Sequence, residues 1–410
     1  MSSYDYNFGS SQIDTVTESC ILDRASVNMM RMFQKACDSM DECSLDILNS
    51  IPEPSLADIE RAESVVEELT EKTGFKYNDN QREAIVKALS ARDYFLIQGP
   101  PGTGKSFVIA SIVMALNIWY NQRVIVSGPT HLAINNVLSK VAKSSNGDLV
   151  DNLLKIGQSY NCTGLSAEIG EQTVSILNLE HVNVRKLNDM NGITVGLTPY
   201  HFFSSRAEGI TGDTLIIDEA GQMNIGLALM AMGSVSKVIF VGDHKQLPPI
   251  FSHKEHKKGL NKSVFEFLHR DFNCVTLEES FRMNGPICEF VSGLYYDGRL
   301  HSHRPSDRLS ISYDGDDPIY DPNVPIVLVD IDDNGTSYSD KEAEACFEII
   351  TRYVSLGVKP KDIGVIAPFR AQGALIRRKL RKTGIDGIKD LVVDTVERMQ
   401  GQERDVVIIS

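Results

Sequence analysis

From about residue 94 onward, apolar residues come in short dense runs separated by polar, glycine-rich breaks. The runs at 94–97, 123–127, 193–197, 214–217 and 237–241 are rich in Val, Ile, Leu and Phe and show little alternation with polar residues. Runs of this length without a polar face predict strands buried on both sides. Helical stretches lie between them, the clearest being 107–116, which contains no early breaker. Strand, loop and helix in repetition predict a parallel sheet covered by helices on both faces. Each predicted strand ends in a cluster of small and polar residues, at 128–131, 198–199, 218–222 and 242–246. In such sheets ligands sit beyond the carboxyl ends of the strands, so these clusters are the places to look for chemistry.

The flanks follow other patterns. Ser55 is a helix N-cap with Asp58 three residues on, close to a capping box, and Ala62, Val65, Val66 and Leu69 form a helical stripe that ends near Gly74. Met29, Met30, Met32 and Phe33 give another apolar helical face. A further helix is expected over 82–89, just before the first strand. Between 143 and 192, Asn, Ser and Gly interrupt short apolar runs, which reads as a mostly helical insertion. A second α/β unit follows, with strands expected at 325–331, 363–367, 391–394 and 405–410 and helices at 341–356 and 373–383. The expected organisation is an acidic helical segment over 1–75, one domain over 76–272 and another over 273–410.

Composition narrows the class. Of 410 residues, 42% are hydrophobic and 23% charged, ordinary for a globular chain, and no apolar run approaches the ~20 residues of a membrane span. The N-terminus lacks the basic-then-apolar order of a secretory signal, so a cytoplasmic setting is expected, or a nuclear one in a eukaryotic cell. Seven scattered cysteines contain no C-x-x-C pair and read as reduced thiols, neither a disulfide frame nor a zinc site. The formal charge of −14 is concentrated at one end: residues 1–75 hold 15 Asp and Glu against 5 Lys and Arg. Overall charge therefore does not exclude a basic groove in the main body.

Gln98-Gly99-Pro100-Pro101-Gly102-Thr103-Gly104-Lys105-Ser106 fits G-x-x-x-x-G-K-[ST] and lies between a predicted strand and a predicted helix. Glycines let such a loop curl so that backbone N–H groups point at a polyphosphate, and the helix adds its positive end. Lys105 suits the β- and γ-phosphates, and the Ser106 hydroxyl suits Mg²⁺. Leu215-Ile216-Ile217-Asp218-Glu219 delivers two adjacent carboxylates from a strand end, one to position the metal and one to activate water. Gln246 stands where a side-chain amide can sense a γ-phosphate. Gln81, upstream of the loop, offers a donor and an acceptor to an adenine. The histidines of the 253–258 loop lack partners at metal-ligand spacing. The basic run 377–382 reads as a solvated helix face.

Taken together these motifs resemble those of superfamily 1 helicases, in particular the group of the nonsense-mediated-decay helicase and the replication helicase–nuclease. The residues that carry the resemblance are Asn78 with Gln81, the 99–106 loop, Gly128-Pro129-Thr130-His131, Asp218-Glu219-Ala220 and Gly242-Asp243-His244-Lys245-Gln246-Leu247-Pro248-Pro249. They continue with Glu279-Ser280-Phe281-Arg282-Met283-Asn284, Ala367-Pro368-Phe369-Arg370 and Asp394-Thr395, and end with Gln400-Gly401-Gln402-Glu403. The resemblance implies a P-loop NTPase of two RecA-like parallel-sheet domains, with ATP and Mg²⁺ as cofactors and single-stranded DNA or RNA as partner. Movement in this group is generally 5′→3′. It also implies roles: Gln81 for adenine, Lys105 and Ser106 for phosphates and metal, Asp218 for the metal and Glu219 as general base. Gln246 would report the γ-phosphate, Arg282 would act as an arginine finger, and Gly401 with Glu403 would meet the nucleotide. Thr130, His131, Thr198, Pro368 and Thr395 match positions that touch the nucleic-acid backbone. Glu-Ser-Phe-Arg-Met-Asn departs from the family's common Gln-Tyr-Arg-Met-His-Pro. The family's last motif, with a second arginine finger, does not follow residue 410, so the second domain is expected to be incomplete. The expected function is an ATP-driven single-strand translocase or helicase, the alternative being an ATP-binding clamp or scaffold with little turnover. The acidic segment is the expected site for a protein partner.

Overall fold

A computed structural model describes residues 53–250, 262–269, 273–333, 337–382 and 384–410. The expected apolar face at Met29–Phe33 and the 253–258 histidine loop lie outside these residues. The chain divides into two compact units, one reaching Glu278 and the other spanning Glu279–Ser410.

The first unit opens with the Leu56–Thr73 helix, where Ser55 and Asp58 do form a capping box and Gly74 ends the helix in the left-handed region. The Asp79–Ser90 helix follows. Strands β1 (Tyr94–Gln98), β2 (Val124–Ser127) and β3 (Leu153–Ile156) lead to a hairpin of β4 (Ser166–Ile169) and β5 (Gln172–Ser175). Then come β6 (Leu177–Leu179), β7 (Thr194–Gly196), β8 (Gly212–Ile217), β9 (Val235–Gly242) and β10 (Cys274–Thr276). All but the hairpin join one parallel sheet in the order β10-β1-β9-β8-β2-β7-β3-β6.

Alternate residues of each central strand enter opposite cores. Phe95, Ile97, Val124, Val126, Ile216, Ile239 and Val241 pack in one cluster with the helices that precede and follow β1. Tyr94, Leu96, Ile125, Leu215, Ile217, Val238 and Phe240 pack in the other, under the Ile225–Met232 and Val264–Leu268 helices. The period-2 direction of strand side chains, applied to strands apolar on both faces, requires two helical layers. The Lys105–Ile118 helix is apolar almost all round and buried from Val108 to Asn117, as a helix wedged between layers must be.

Three expectations are corrected here. The 143–192 insertion is not mostly helical: β3 and β6 extend the main sheet and β4 pairs antiparallel with β5, and its helical elements are short, Val184–Asn188 and the 3₁₀ turns Val150–Asn152 and Ser159–Asn161. Apolar runs of three or four residues are too short to close helical turns against a core, and an available sheet edge captures them. The boundary expected at 272/273 moves, because β10 pairs with β1 through Leu96, Ile97 and Gln98. Residues 325–331 form no strand and no ladder with a described strand, and Ile326, Leu328 and Val329 are exposed; an apolar run without a neighbour to take its backbone bonds is not a strand.

The second unit pairs β11 (Glu279–Asn284) with β12 (His301–Arg304) and builds a parallel sheet from β13 (Ile363–Ile366), β14 (Val392–Asp394) and β15 (Val406–Ile409), in the order β14-β13-β15. The Asp340–Ser355 and Arg370–Leu380 helices pack on it through Ala343, Cys346, Ile350, Leu375, Ile376 and Leu380. Among the described residues no helix is long and apolar enough to cross a membrane.

Candidate nucleotide and nucleic-acid site

Because the main sheet is parallel, the predicted clusters all leave it at one edge. Sheet order sorts them: β1, β9 and β8 carry the phosphate loop, Gln246 and the carboxylate pair, while β2, β7 and β3 carry Thr130, Thr198 and Lys155.

The phosphate loop curls through Gly102 (φ 77°) and Gly104 (φ 84°), conformations that cost an L side chain about 1–2 kcal/mol. Gly104 caps the Lys105–Ile118 helix without a side chain, which leaves the first helical N–H groups directed into the loop. The Lys105 stem crosses Gly99, where a Cβ would lie 2.1 Å from Lys105 Cγ. Lys105 Nζ donates to the Gly99 carbonyl at 2.6 Å, and Gln246 Nε2 approaches the same oxygen at 3.4 Å. Thr103 Oγ1 donates to Pro100 O at 2.9 Å and tightens the turn.

Gln81 is buried against this loop: its Nε2 donates to Thr103 O at 3.2 Å and its Oε1 accepts from Asn78 N at 3.4 Å. Each end of the amide makes one of these bonds, which fixes its orientation and leaves a second N–H and a second lone pair for an adenine. Asn78 in turn caps the Asp79–Ser90 helix by accepting from Gln81 N at 2.9 Å. Asn78→Ala is therefore expected to lower stability by about 1 kcal/mol and to weaken nucleotide affinity by loosening Gln81, measured by thermal unfolding and by titration with a fluorescent ATP analogue.

Asp218 lies at the end of β8, almost wholly buried, and Oδ1 accepts from Glu219 N at 2.9 Å. Burial, followed by the neighbouring Glu219 carboxylate, pushes the Asp218 carboxyl well above its ordinary value, against the pull of the Lys105 charge. Glu219 sits in the left-handed region at φ 55°, an uncommon conformation for a non-glycine residue that is held only where the surroundings enforce it. Its Oε2 accepts from Gln222 Nε2 at 2.9 Å. The carboxylate loop packs backbone to backbone on the β9 loop: a Cβ on Gly221 would lie 2.4 Å from Asp243 O, and one on Gly242 2.6 Å from Gly221 N.

Asp243 organises the rest, and only tertiary contacts disclose its role. It accepts from Gln98 Nε2 at 3.0 Å, from Lys245 N at 3.0 Å and from Gln246 Nε2 at 2.9 Å. Thr276 of β10 donates to Gln98 Oε1 at 3.2 Å and so fixes the amide's orientation. The sensor-like Gln246 is thus tied through Asp243 to the strand that begins the phosphate loop. Gln222 lies in the 218–222 cluster without a role assigned from sequence, and Lys155 has no motif to announce it.

At the other end of the edge, Thr130 is the N-cap of the His131–Ser144 helix and accepts from Ala133 N. Thr198 Oγ1 lies 2.7 Å from His201 Nδ1, and the His131 and His201 rings are 5.9 Å apart. The structure therefore brings Thr130, His131 and Thr198 together. In the second unit Pro368 and Thr395 follow the adjacent parallel strands β13 and β14 at the same end. Arg282 Nε donates to Glu403 Oε1 at 2.6 Å, so these two motif residues form an ion pair; Gly401 lies two residues before Glu403. Of the basic run, Lys379 pairs with Glu344 on the neighbouring helix and Arg377 donates to Val393 O.

The donor set suits a magnesium ion held mainly by phosphate and water. It offers one buried carboxylate, Asp218, and one hydroxyl, Ser106, and the described residues contain no group of three His, Cys, Asp or Glu able to form a cage. The loop suits a polyphosphate, with uncapped helical N–H groups and a lysine beside it.

Comparison with known proteins agrees with the geometry. A family model described as an AAA domain matches residues 76–192 and 201–254, and a second AAA domain model matches 260–410. Over 367 residues the chain is 29% identical to the mouse DNA replication ATP-dependent helicase/nuclease DNA2, covering 81% of this chain and 33% of that protein. It is 29% identical over 377 residues to the regulator of nonsense transcripts 1 homolog of Neurospora crassa, covering 80% and 33%. With the ATP-dependent helicase NAM7 of Saccharomyces cerevisiae the identity is 30% over 382 residues, covering 81% and 38%. The chain spans about a third of the length of these relatives.

Proposed function

The chain belongs to the superfamily 1 helicases, in the group of the nonsense-mediated-decay helicase and the replication helicase–nuclease, and from that membership we propose that it couples ATP hydrolysis to 5′→3′ movement on single-stranded nucleic acid. The observation that carries this reading is the Gly99 carbonyl, on which Lys105 from the start of the helix after β1 and Gln246 from the loop after β9 converge. A phosphate group arriving there competes for both donors at once, and Gln246 passes the event to Asp243 and hence to β10.

In this reading Lys105 and the loop N–H groups hold the phosphates, while Ser106 and Asp218 hold Mg²⁺, which screens the phosphate charge. Glu219, steadied by Gln222, takes the proton from the attacking water. Thr130, His131, Thr198, Pro368 and Thr395 meet the nucleic-acid backbone. Such contacts accept DNA and RNA alike, because phosphate is common to both. Arg282, Gly401 and Glu403 keep their nucleotide roles on motif resemblance.

ATPase rate measured with and without saturating poly-dT and poly-U tests the proposal. Stimulation of about tenfold or more by either polymer is expected. Binding of a polymer without any rise in rate would instead favour the clamp reading, and displacement of a block only at the 5′ end would contradict the direction.

A further inference from the structure

Lys155 lies next to the end of β3, flanked by β7 at Gly196 and by β6 at Asn178, with no side-chain surface exposed. Its ammonium stands 2.8 Å from His131 Nδ1 and 3.4 Å from Ile156 O. Among the described residues no carboxylate pairs with it. Burying an ammonium without such a partner costs several kcal/mol, and burial brings this one down to about 8, which leaves it largely charged at neutral pH. The chain also keeps room for it: a Cβ at Gly157 would lie 2.9 Å from Lys155 Nζ and 3.4 Å from His131 Cε1. The shorter of its two contacts is the one to His131.

An ammonium has three donors and no lone pair. His131 Nδ1 must therefore accept and carries no proton, and in the neutral ring the proton is on Nε2. That nitrogen has no hydrogen-bond partner among the described residues and reaches solvent. It belongs to the first residue of the His131–Ser144 helix, beside Thr130 and close to the Thr198–His201 pair.

We propose that Lys155 is a positioning residue for nucleic-acid binding: its ammonium locks His131 as the Nε2–H tautomer, which presents a neutral N–H donor to a phosphodiester oxygen beyond β2, β7 and β3. The proposal rests on the reading of this face as the nucleic-acid face. Burial first, then Lys155 from β3, His201 from the turn after β7 and Arg206 beyond it, all disfavour the imidazolium and hold His131 down to about 4. Cys162 faces Lys155 from the loop after β3. The donor is thus constant from about pH 5.5 to 7, where a histidine at its ordinary value near 6.5 would switch.

The test uses the full chain labelled with ¹⁵N-histidine. A long-range ¹H–¹⁵N spectrum shows which ring nitrogen carries the proton, and the His131 signal is identified by its loss in His131→Gln. The expected result is Nε2–H in the parent, unchanged between about pH 5.5 and 7, below the range in which Lys155 loses its charge. Lys155→Met, close in shape, should show mixed tautomers and a titration displaced upward toward ~6.5, and Lys155→Arg should restore Nε2–H. By anisotropy, Lys155→Met should weaken oligo(dT) and oligo(U) binding by about tenfold, as loss of a hydrogen bond to a charged group does. It should also make binding tighten as pH falls. In a His131→Gln background the same change should have almost no effect.

A parent spectrum with Nδ1–H overturns the proposal without any variant, which covers a Lys155→Met chain that fails to fold. Retention of pure Nε2–H in Lys155→Met overturns it too, as does an equal affinity loss in the His131→Gln background. A parent with the expected tautomer that binds neither oligomer overturns the nucleic-acid role itself, so the two readings fail separately.

Discussion

Replacing Glu219 by Gln should lower the ATPase rate by about 10³-fold while ATP affinity stays intact. General-base catalysis contributes about 10²–10⁴-fold, and an amide cannot take the proton from water. The substitution isolates that function because it disturbs little else. Gln differs from Glu by one atom, tolerates the φ of 55° no worse, and still offers an oxygen to Gln222 Nε2. Asp218 keeps the backbone N–H of residue 219, and Lys105 keeps its contact with Gly99. Steady-state turnover beside a nucleotide-binding titration reads both quantities. A variant that hydrolyses within about tenfold of the parent removes Glu219 as the base.

Gly221→Ala should have the second large effect, by another route. The added Cβ would lie 2.4 Å from Asp243 O, 2.9 Å from its carbonyl carbon and 3.1 Å from its nitrogen. All three are backbone atoms, which cannot rotate away, so the two loops must separate. Overpacking of this kind costs about 3 kcal/mol, equivalent to a fall in unfolding temperature of about 6–12 °C for a unit of this size. Catalysis should suffer beyond that, since Asp243 holds Gln98 and Gln246 in place. Gly293→Ala serves as the comparison: it lies in the Gly285–Tyr295 helix with nothing within 4 Å of its Cβ, and there alanine should stabilise by about 0.5–1 kcal/mol. If both variants unfold at the parent's temperature, backbone contact between the carboxylate loop and the β9 loop does not limit stability.

Legibility varied with the range of the interactions involved. The phosphate loop, the carboxylate pair and the capping box at Ser55 were visible because each is written in contiguous residues whose backbone geometry is local. The central strands were visible because burial on both faces removes polar positions. Short runs such as Leu153-Leu154-Lys155-Ile156 were misread as helical, since three or four apolar residues carry no period until a sheet edge takes their hydrogen bonds. β10 was placed in the wrong domain for the same reason. Its membership depends on pairing with Leu96, Ile97 and Gln98, nearly two hundred residues earlier.

By itself, then, the amino-acid sequence determined a parallel α/β fold with a phosphate-loop motif, and it named the groups proposed to touch phosphate, metal and water. The tertiary structure alone decided how those groups are wired. Asp243 became the junction of Gln98, Gln246 and Lys245. The Gln81 amide was turned onto the phosphate loop, and a buried lysine from a misread strand came to face His131. The physical reason is that a motif specifies side-chain chemistry, whereas the state of that chemistry depends on distant neighbours. Which nitrogen holds a proton, and which carbonyl a lysine touches, are settled by groups that only strand order brings within hydrogen-bonding distance.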